Sequence, residues 1–302
     1  FQTEFRQVNK NSNLIADVSL TNGYKSELTK EENSISHFFG EYNLNLDLEK
    51  FQSSKFSLVL EKVTNDTYLK VFDSHITTSE VRPENFDVLN SNLKLDFVHQ
   101  DYNLTAGIQA YENLQLKNSD RYQYVLPYYN FDKILSKNFL NGSFNLISSG
   151  TNELKNTNNL RSNITNDISY KGLDLVNNYG LVSNFNVNLK NLNSVAKNDP
   201  DYKSSPQVEA MSEFEFVSSI PMLKKNNKFE KYLTPKASFR INPGDMKNYS
   251  NEDRQVDVGN IFENNRLGLG DSFESGRSLT LGVDYRKESL ENINKYFEFK
   301  LA

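Results

Sequence analysis

The 302-residue chain has no cysteine. No disulfide, thiolate metal site or cysteine nucleophile can form within it. Long uncharged apolar runs are also missing, so no transmembrane helix is expected. Basic residues are scattered and the net charge is −5. There is neither a basic patch for nucleic acid nor a polybasic segment for an anionic lipid surface. Helical periodicity is nearly absent, with Ser289 to Asn294 as one short exception.

Catalytic and metal-binding patterns are equally scarce. His37, His75 and His99 lie far apart without ligand-type spacing, and read as surface or lumen histidines rather than zinc ligands or general bases. Gly268-Leu269-Gly270 lacks the third glycine, preceding buried strand and following helix of a dinucleotide loop. Asp199-Pro200-Asp201 and Asn251-Glu252-Asp253 lack an EF-hand pattern and read as solvated loop acids. No Ser/His/acid constellation assembles. The expectation is a protein with no catalytic residue, no metal and no cofactor.

What is present is a polar chain rich in aromatics, 37% hydrophobic with 21 Phe and 16 Tyr. Aromatic content of this kind argues against disorder. Alternation of period two runs through most of it. Leu14, Ala16, Val18 and Leu20 oppose Asn13, Asp17 and Ser19. Tyr42, Leu44, Leu46 and Leu48 oppose Asn43, Asn45 and Asp47. The pattern recurs at Phe56 to Leu60, Leu93 to Phe97, Leu104 to Ala110, Tyr122 to Tyr128, Phe144 to Leu146, Ile164 to Tyr170, Phe185 to Leu189, Val208 to Phe216 and Ala237 to Ile241. Ser278, Thr280, Gly282 and Asp284 then oppose Leu279, Leu281, Val283 and Tyr285. Long loops are expected at Val63 to Leu89 and Asn242 to Gly276, and an exposed charged loop at Lys25 to Glu32. The opening FQTEF and the closing YFEFKLA are strand-like, so residues 1–302 are expected to be a single domain cut from a larger protein.

Roughly 13–15 strands of this length suit an all-β, antiparallel outer-membrane β-barrel, present here as a partial barrel. A soluble sandwich uses the same alternation with the opposite face inside, and periodicity alone does not separate the two. Polar faces carrying Asn, Asp, Lys and Ser favour a wet lumen. So do aromatics near strand ends (Phe38, Phe39 and Tyr42; Tyr122 to Tyr129; Tyr296, Phe297 and Phe299), and the alternation of short turns with long loops.

The run Asn265-Arg266-Leu267, Asp271, Phe273-Glu274, Gly276, Leu279-Thr280 and Gly282 resembles a motif of the LPS-assembly protein family. That family is also called LptD, OstA or organic solvent tolerance protein. Its motif reads approximately N-R-F-S-G-x-D-R-x-E-x-G followed by a strand. Leu233-Thr234-Pro235-Lys236 to Arg240, Ser205-Pro206-Gln207-Val208 and Tyr124 to Tyr129 are similar to its Pro-led or Pro-interrupted strands. Ser272 stands where the family often has Arg, Ser278 where an Arg usually opens the strand, and Gly268-Leu269-Gly270 replaces the usual Ser-Gly order. The family's disulfide cysteines have no counterpart.

The resemblance implies the central part of a barrel of about two dozen strands in the outer membrane of a Gram-negative bacterium, preceded by a periplasmic jelly roll. It implies assembly of lipopolysaccharide into the outer leaflet through a lateral opening. It also implies a lumen plug by an LptE-like lipoprotein, contact with membrane lipid, and periplasmic bridge proteins engaged through an N-terminal domain. A general porin or ligand-gated outer-membrane transporter is the alternative, and a β-rich adhesin a third reading. Within the motif, Asn265, Arg266, Asp271, Glu274, Gly276 and Gly282 are the candidate site residues. Their charged members either fold the loop through charge-assisted hydrogen bonds or cap a lumen, and their glycines supply turns with positive φ.

Overall fold

A computed structural model of the chain describes residues 1–25, 32–76, 78–139, 141–246, 248–250, 252–292 and 294–302. The alternating stretches become strands: β1 (Gln2–Val8), β2 (Ser12–Lys25), β3 (Glu32–Asn45), β4 (Ser53–Val63), β5 (Val88–Val98), β6 (Tyr102–Asn113), β7 (Tyr122–Phe139) and β8 (Gly142–Lys155). They continue as β9 (Asn159–Gly172), β10 (Leu175–Val176), β11 (Val182–Lys197), β12 (Gln207–Ser219), β13 (Met222–Lys225), β14 (Phe229–Asn242), β15 (Gly276–Ser289) and β16 (Tyr296–Leu301). All sixteen belong to one sheet. β10 and β13 lie off the main path, which leaves fourteen strands along it in chain order. Among the described residues β1 is paired only with β2 and β16 only with β15. The resolved registers are antiparallel, as in β14–β15, where Arg240 faces Ser278 and Lys236 faces Gly282.

Three details differ from the sequence reading. β3 stops at Asn45, so Leu46 and Leu48 are not strand; Asp47, with φ of 48°, turns the chain there. The connection 64–87 holds two short helices, α1 (Tyr68–Val71) and α2 (Asp73–Ile76), and a single 3-10 turn spans Asn118–Arg121. Ser289 to Asn294 carries no helix among its described residues; Ser289 ends β15. Of the charged run Lys25 to Glu32, residues 26–31 lie outside the described residues, as does residue 251 of the acidic run Asn251 to Asp253.

The chain gathers into two compact units. In the first (1–133, 148–164 and 193–207) polar side chains of β2 and β3 are buried, together with Ile35 and Phe39 of β3. Asp17, Ser19 and His37 are shielded while Val18, Leu20 and Phe38 are exposed, because the register pairs Val18 with Phe38 on one face and Ser19 with His37 on the other. Phe39 is an exception to an aromatic girdle: it turns to the polar side, fully buried, and stacks on His37 at 4.2 Å. Beside it the 64–87 segment adds an apolar cluster, with Tyr68, Leu69, Ile76 and Val81 packed against Ile35, Phe39 and Val63.

In the second unit (134–147, 165–192 and 208–302) the inversion is sharper. Leu279 and Leu281 are 68% and 64% exposed, whereas Glu213 and Glu215 are 3% and 2% exposed. Phe214, Phe216 and Phe239 share the exposed apolar face. Water would drive these faces the other way round. A membrane barrel has this arrangement, with its apolar side outward. No helix among the described residues is long and apolar enough to cross a membrane, which says nothing of strands.

Candidate functional site

The long connection 243–275 folds onto the polar face of its own unit, and the strands beneath hold it with cations and amides. Strand geometry places Lys236, Ser238, Arg240 and Asn242 on one side of β14, two residues apart. Arg240 is buried. Its Nε lies 2.7 Å from Glu213 Oε1 and its Nη2 3.2 Å from Glu215 Oε1, both carboxylates coming from β12. The same Nη2 donates to the Glu263 carbonyl in the loop. Asn242 Nδ2 donates to the carbonyls of Phe273 and Glu274, at 3.3 and 3.1 Å. From β11, the buried Lys190 donates to the Gly270 carbonyl at 2.9 Å and pairs with Asp167 of β9 at 2.7 Å.

The motif residues divide among three tasks. Asn265 closes its own turn: Nδ2 donates to Leu269 O, and Leu269 N donates back to Oδ1, each at 2.8 Å. Gly268 completes that turn with φ of +63°, a conformation costly for a residue with a Cβ. Arg266 and Glu274 form a two-pronged ion pair, with Nε to Oε2 at 2.6 Å. Glu274 Oε2 is also 3.7 Å from Arg240 Nη1. The motif pair is thereby joined to the strand cluster, giving two guanidinium groups among three carboxylates. Hydrogen bonding to Glu274 raises the Arg266 pKa above its ordinary value.

Asp271 sits apart from that pair. It accepts from the Tyr249 hydroxyl, which also lies 3.2 Å from Ser272 Oγ. Burial and then the Asp271 carboxylate push the Tyr249 phenol up to about 12. Ser272 is buried beside this hydroxyl. Gly276 starts β15 with φ of +91°. Gly282 lies further along β15 under the loop. A Cβ there would meet the Phe262 ring and the Leu301 carbonyl, both at 2.7 Å. Phe262 in turn carries Lys236 Nζ over its ring at 4.2 Å.

Several contributors carried no sequence signal. Lys190, Arg240, Tyr249 and Phe262 are separated from their partners by long stretches of chain; strand register places Lys190 and Arg240, and the fold of the connection places Tyr249 and Phe262. The first unit holds a second such group. Tyr68 hydroxyl lies 2.6 Å from Ser19 Oγ and 2.8 Å from His37 Nδ1, and His37 Nε2 is 3.3 Å from Asp17 Oδ1. His37 is therefore a buried histidine tying α1 to β2 and β3, not a surface one; the side chain of His75 lies outside the described residues. Asp199 is likewise no solvated loop acid: Arg161 holds it through two bonds, at 2.7 and 3.0 Å. Among the described residues no group of three or more His, Asp or Glu is arranged to hold a metal ion.

A search of curated proteins finds no match to this chain. The profile of the family described as LPS transport system D, LptD, matches residues 37–302. That span covers the loop, the strands that hold it and all but the first strands of the sheet. The chain belongs to the LPS transport system D family, a transport component rather than an enzyme family.

Proposed function

We propose that the chain forms part of the wall of an outer-membrane translocon that assembles lipopolysaccharide into the outer leaflet. The inverted burial carries the reading: apolar side chains face outward and ionic ones are buried under a loop. A hydrated, sugar-compatible interior and a lipid-facing exterior follow naturally from it. In this reading residues 1–302 are one barrel domain that other strands complete, since backbone groups at an unpaired edge are costly in lipid. An LptE-like lipoprotein occupies the interior, and periplasmic bridge proteins deliver the substrate. The motif loop, built on Arg266, Glu274 and Arg240, caps the interior. A general porin fits less well, because the loop already engages the charged side chains that would line an open channel.

The test places a photo-crosslinking residue at Lys94, on the polar face of β5, in the full-length protein in its own cell. Pulse-labelled lipopolysaccharide is expected to form an adduct there that disappears on chase. Absence of any adduct, or a stable open conductance in planar bilayers, would overturn the proposal.

A further inference from the structure

Three lysines stand side by side across β13, β14 and β15. The register sets Lys224 opposite Lys231, and Lys231 opposite Lys287. Cross-strand partners share a face, with Cβ atoms about 5 Å apart. Stepping by twos along β14 from Lys231 leads to Leu233 and Phe239 on the exposed apolar side, whereas Arg240 and Asn242 belong to the other side. The lysine row therefore borders the apolar face, at the end of β14 remote from the motif loop. One step further along the strands, Met222, Leu233, Tyr285 and Phe299 form the next row of the same face. Phe297 stands opposite Lys287, and Lys287 Nζ lies over the Phe229 ring at 4.1 Å. No single stretch of sequence displays this row, because each strand contributes one lysine.

Like charges directly opposite one another destabilise a sheet, and the acids of these strand ends do not relieve them. Glu230 is taken by Lys225 and Tyr232, Glu288 by Arg286, and Glu298 by Arg286 and Lys300. All of these lie on the polar side. The adjoining turns add Lys228 and Lys295 against Glu291. We infer that the row Lys224, Lys231 and Lys287 holds the phosphodiester headgroup of an anionic phospholipid, whose acyl chains lie along Met222, Leu233 and Phe299. Lysine stems pack on apolar surface and carry the ammonium to the membrane interface, where each adds attraction to anionic lipid. A zwitterionic headgroup brings its own cation and gains less from the row. The connections at this end, 226–228 and 290–295, are short, while the one at the other end runs 243–275. Short turns of outer-membrane barrels face the periplasm, so the lipid belongs to the inner leaflet. The inference rests on the outer-membrane reading above for the lipid beside these strands.

Native mass spectrometry of the full-length protein in detergent tests it, by titrating three probes: phosphatidylglycerol, phosphatidylcholine with the same acyl chains, and lipid A. Phosphatidylglycerol is expected to bind more tightly than either of the others. Lys231→Gln should weaken it about fivefold, the share of one lysine near a charged surface. The triple variant Lys224→Gln, Lys231→Gln and Lys287→Gln should lose the preference over phosphatidylcholine. Lys231→Arg keeps the charge and should stay within about twofold of the wild type. Lys225→Gln, on the polar side, should leave the preference unchanged. Raising the salt should weaken the preference in the wild type through screening. Equal affinity for the two phospholipids, tighter binding of lipid A, or a triple variant that retains the wild-type preference would overturn the inference. A Lys94 adduct without phosphatidylglycerol preference would count against the row while leaving the translocon reading intact; the preference without the adduct would do the reverse.

Discussion

Replacing Arg240 with methionine removes one cation and strands two carboxylates. Glu213 and Glu215 are buried on the same face of β12, two residues apart, or roughly 6.7 Å along a strand. At an effective dielectric constant of about 20, unit charges at that spacing repel by roughly 2.5 kcal/mol. Arg240 lies 2.7 Å from one carboxylate and 3.2 Å from the other, and masks that repulsion. Breaking a buried pair from one side costs about 3–5 kcal/mol, and the repulsion above, an upper limit that holds for two full charges, accounts for half or more of it. The Glu263 carbonyl and the Glu274 carboxylate also lose their contacts with Arg240. Arg240→Met in the full-length protein should therefore lower stability to guanidinium in detergent by about 3–5 kcal/mol. Amide exchange across 254–275 should accelerate by about 100-fold or more, the factor for roughly 3 kcal/mol. Adding Glu213→Gln and Glu215→Gln should restore most of the loss, because no buried charge is then left unpaired. A single variant within about 1 kcal/mol of wild type, or a triple variant no better than the single, would refute the reasoning.

Tyr249 predicts an alkaline limit for the loop. Its folded pKa of about 12 exceeds the ordinary value of 10, so its stabilising contribution is complete below pH 10 and is lost as the pH rises through about 12. Exchange rates across 248–275 should show that decline, and Tyr249→Phe should abolish it. Asp199 sets an acid limit. Burial alone would raise its pKa, but Arg161 and the amides of Asp201 and Tyr202 outweigh that and hold it below the ordinary 3.8. Its contribution is present above the ordinary carboxylate range and is lost as pH falls through the depressed value, whereas Asp199→Asn should show no such acid loss in the exchange of 198–206. Tyr68→Phe strands the buried His37 Nδ1 and should cost about 1–3 kcal/mol in thermal or chemical unfolding. Gly282→Val should drive Phe262 from β15, seen as proteolytic nicking near 262 that the wild type resists; an unchanged digestion pattern would show that the ring does not rest there.

The strands were readable because period-two alternation is a local property. Leu279 against Thr280, or Val18 against Asp17, declares two faces within a few residues. Which face is inside was not readable from alternation alone, since lipid and water select opposite answers from the same pattern; the polar faces and the aromatics near strand ends favoured a wet lumen, and the burial of Glu215 beside the exposure of Leu281 agrees with that. The motif exposed the Arg266–Glu274 pair, eight residues apart. It did not expose Arg240, Lys190 or Phe262, whose places depend on long-range register. The helices α1 and α2 were missed for a related reason: each spans four residues, about one turn and too short for periodicity, and packing of Tyr68 and Ile76 sustains them. Leu46 and Leu48 misled in the other direction, because alternation continued past the point where Asp47 turns the backbone.

The loop is gripped by its carbonyl groups. Lys190 reaches Gly270 O, Arg240 reaches Glu263 O, Asn242 reaches the carbonyls of Phe273 and Glu274, and Arg254 within the loop reaches those of Leu267 and Gly268. Every residue type offers the same carbonyl oxygen, so this mode of attachment is indifferent to which side chain the loop carries at those points. Substitutions at 263, 267 and 270 can alter what the loop presents on its surface while these carbonyl contacts stay in place. At those positions the loop's exposed chemistry can thus drift independently of its position, a freedom that Glu274 and Phe262, which hold on through their side chains, lack.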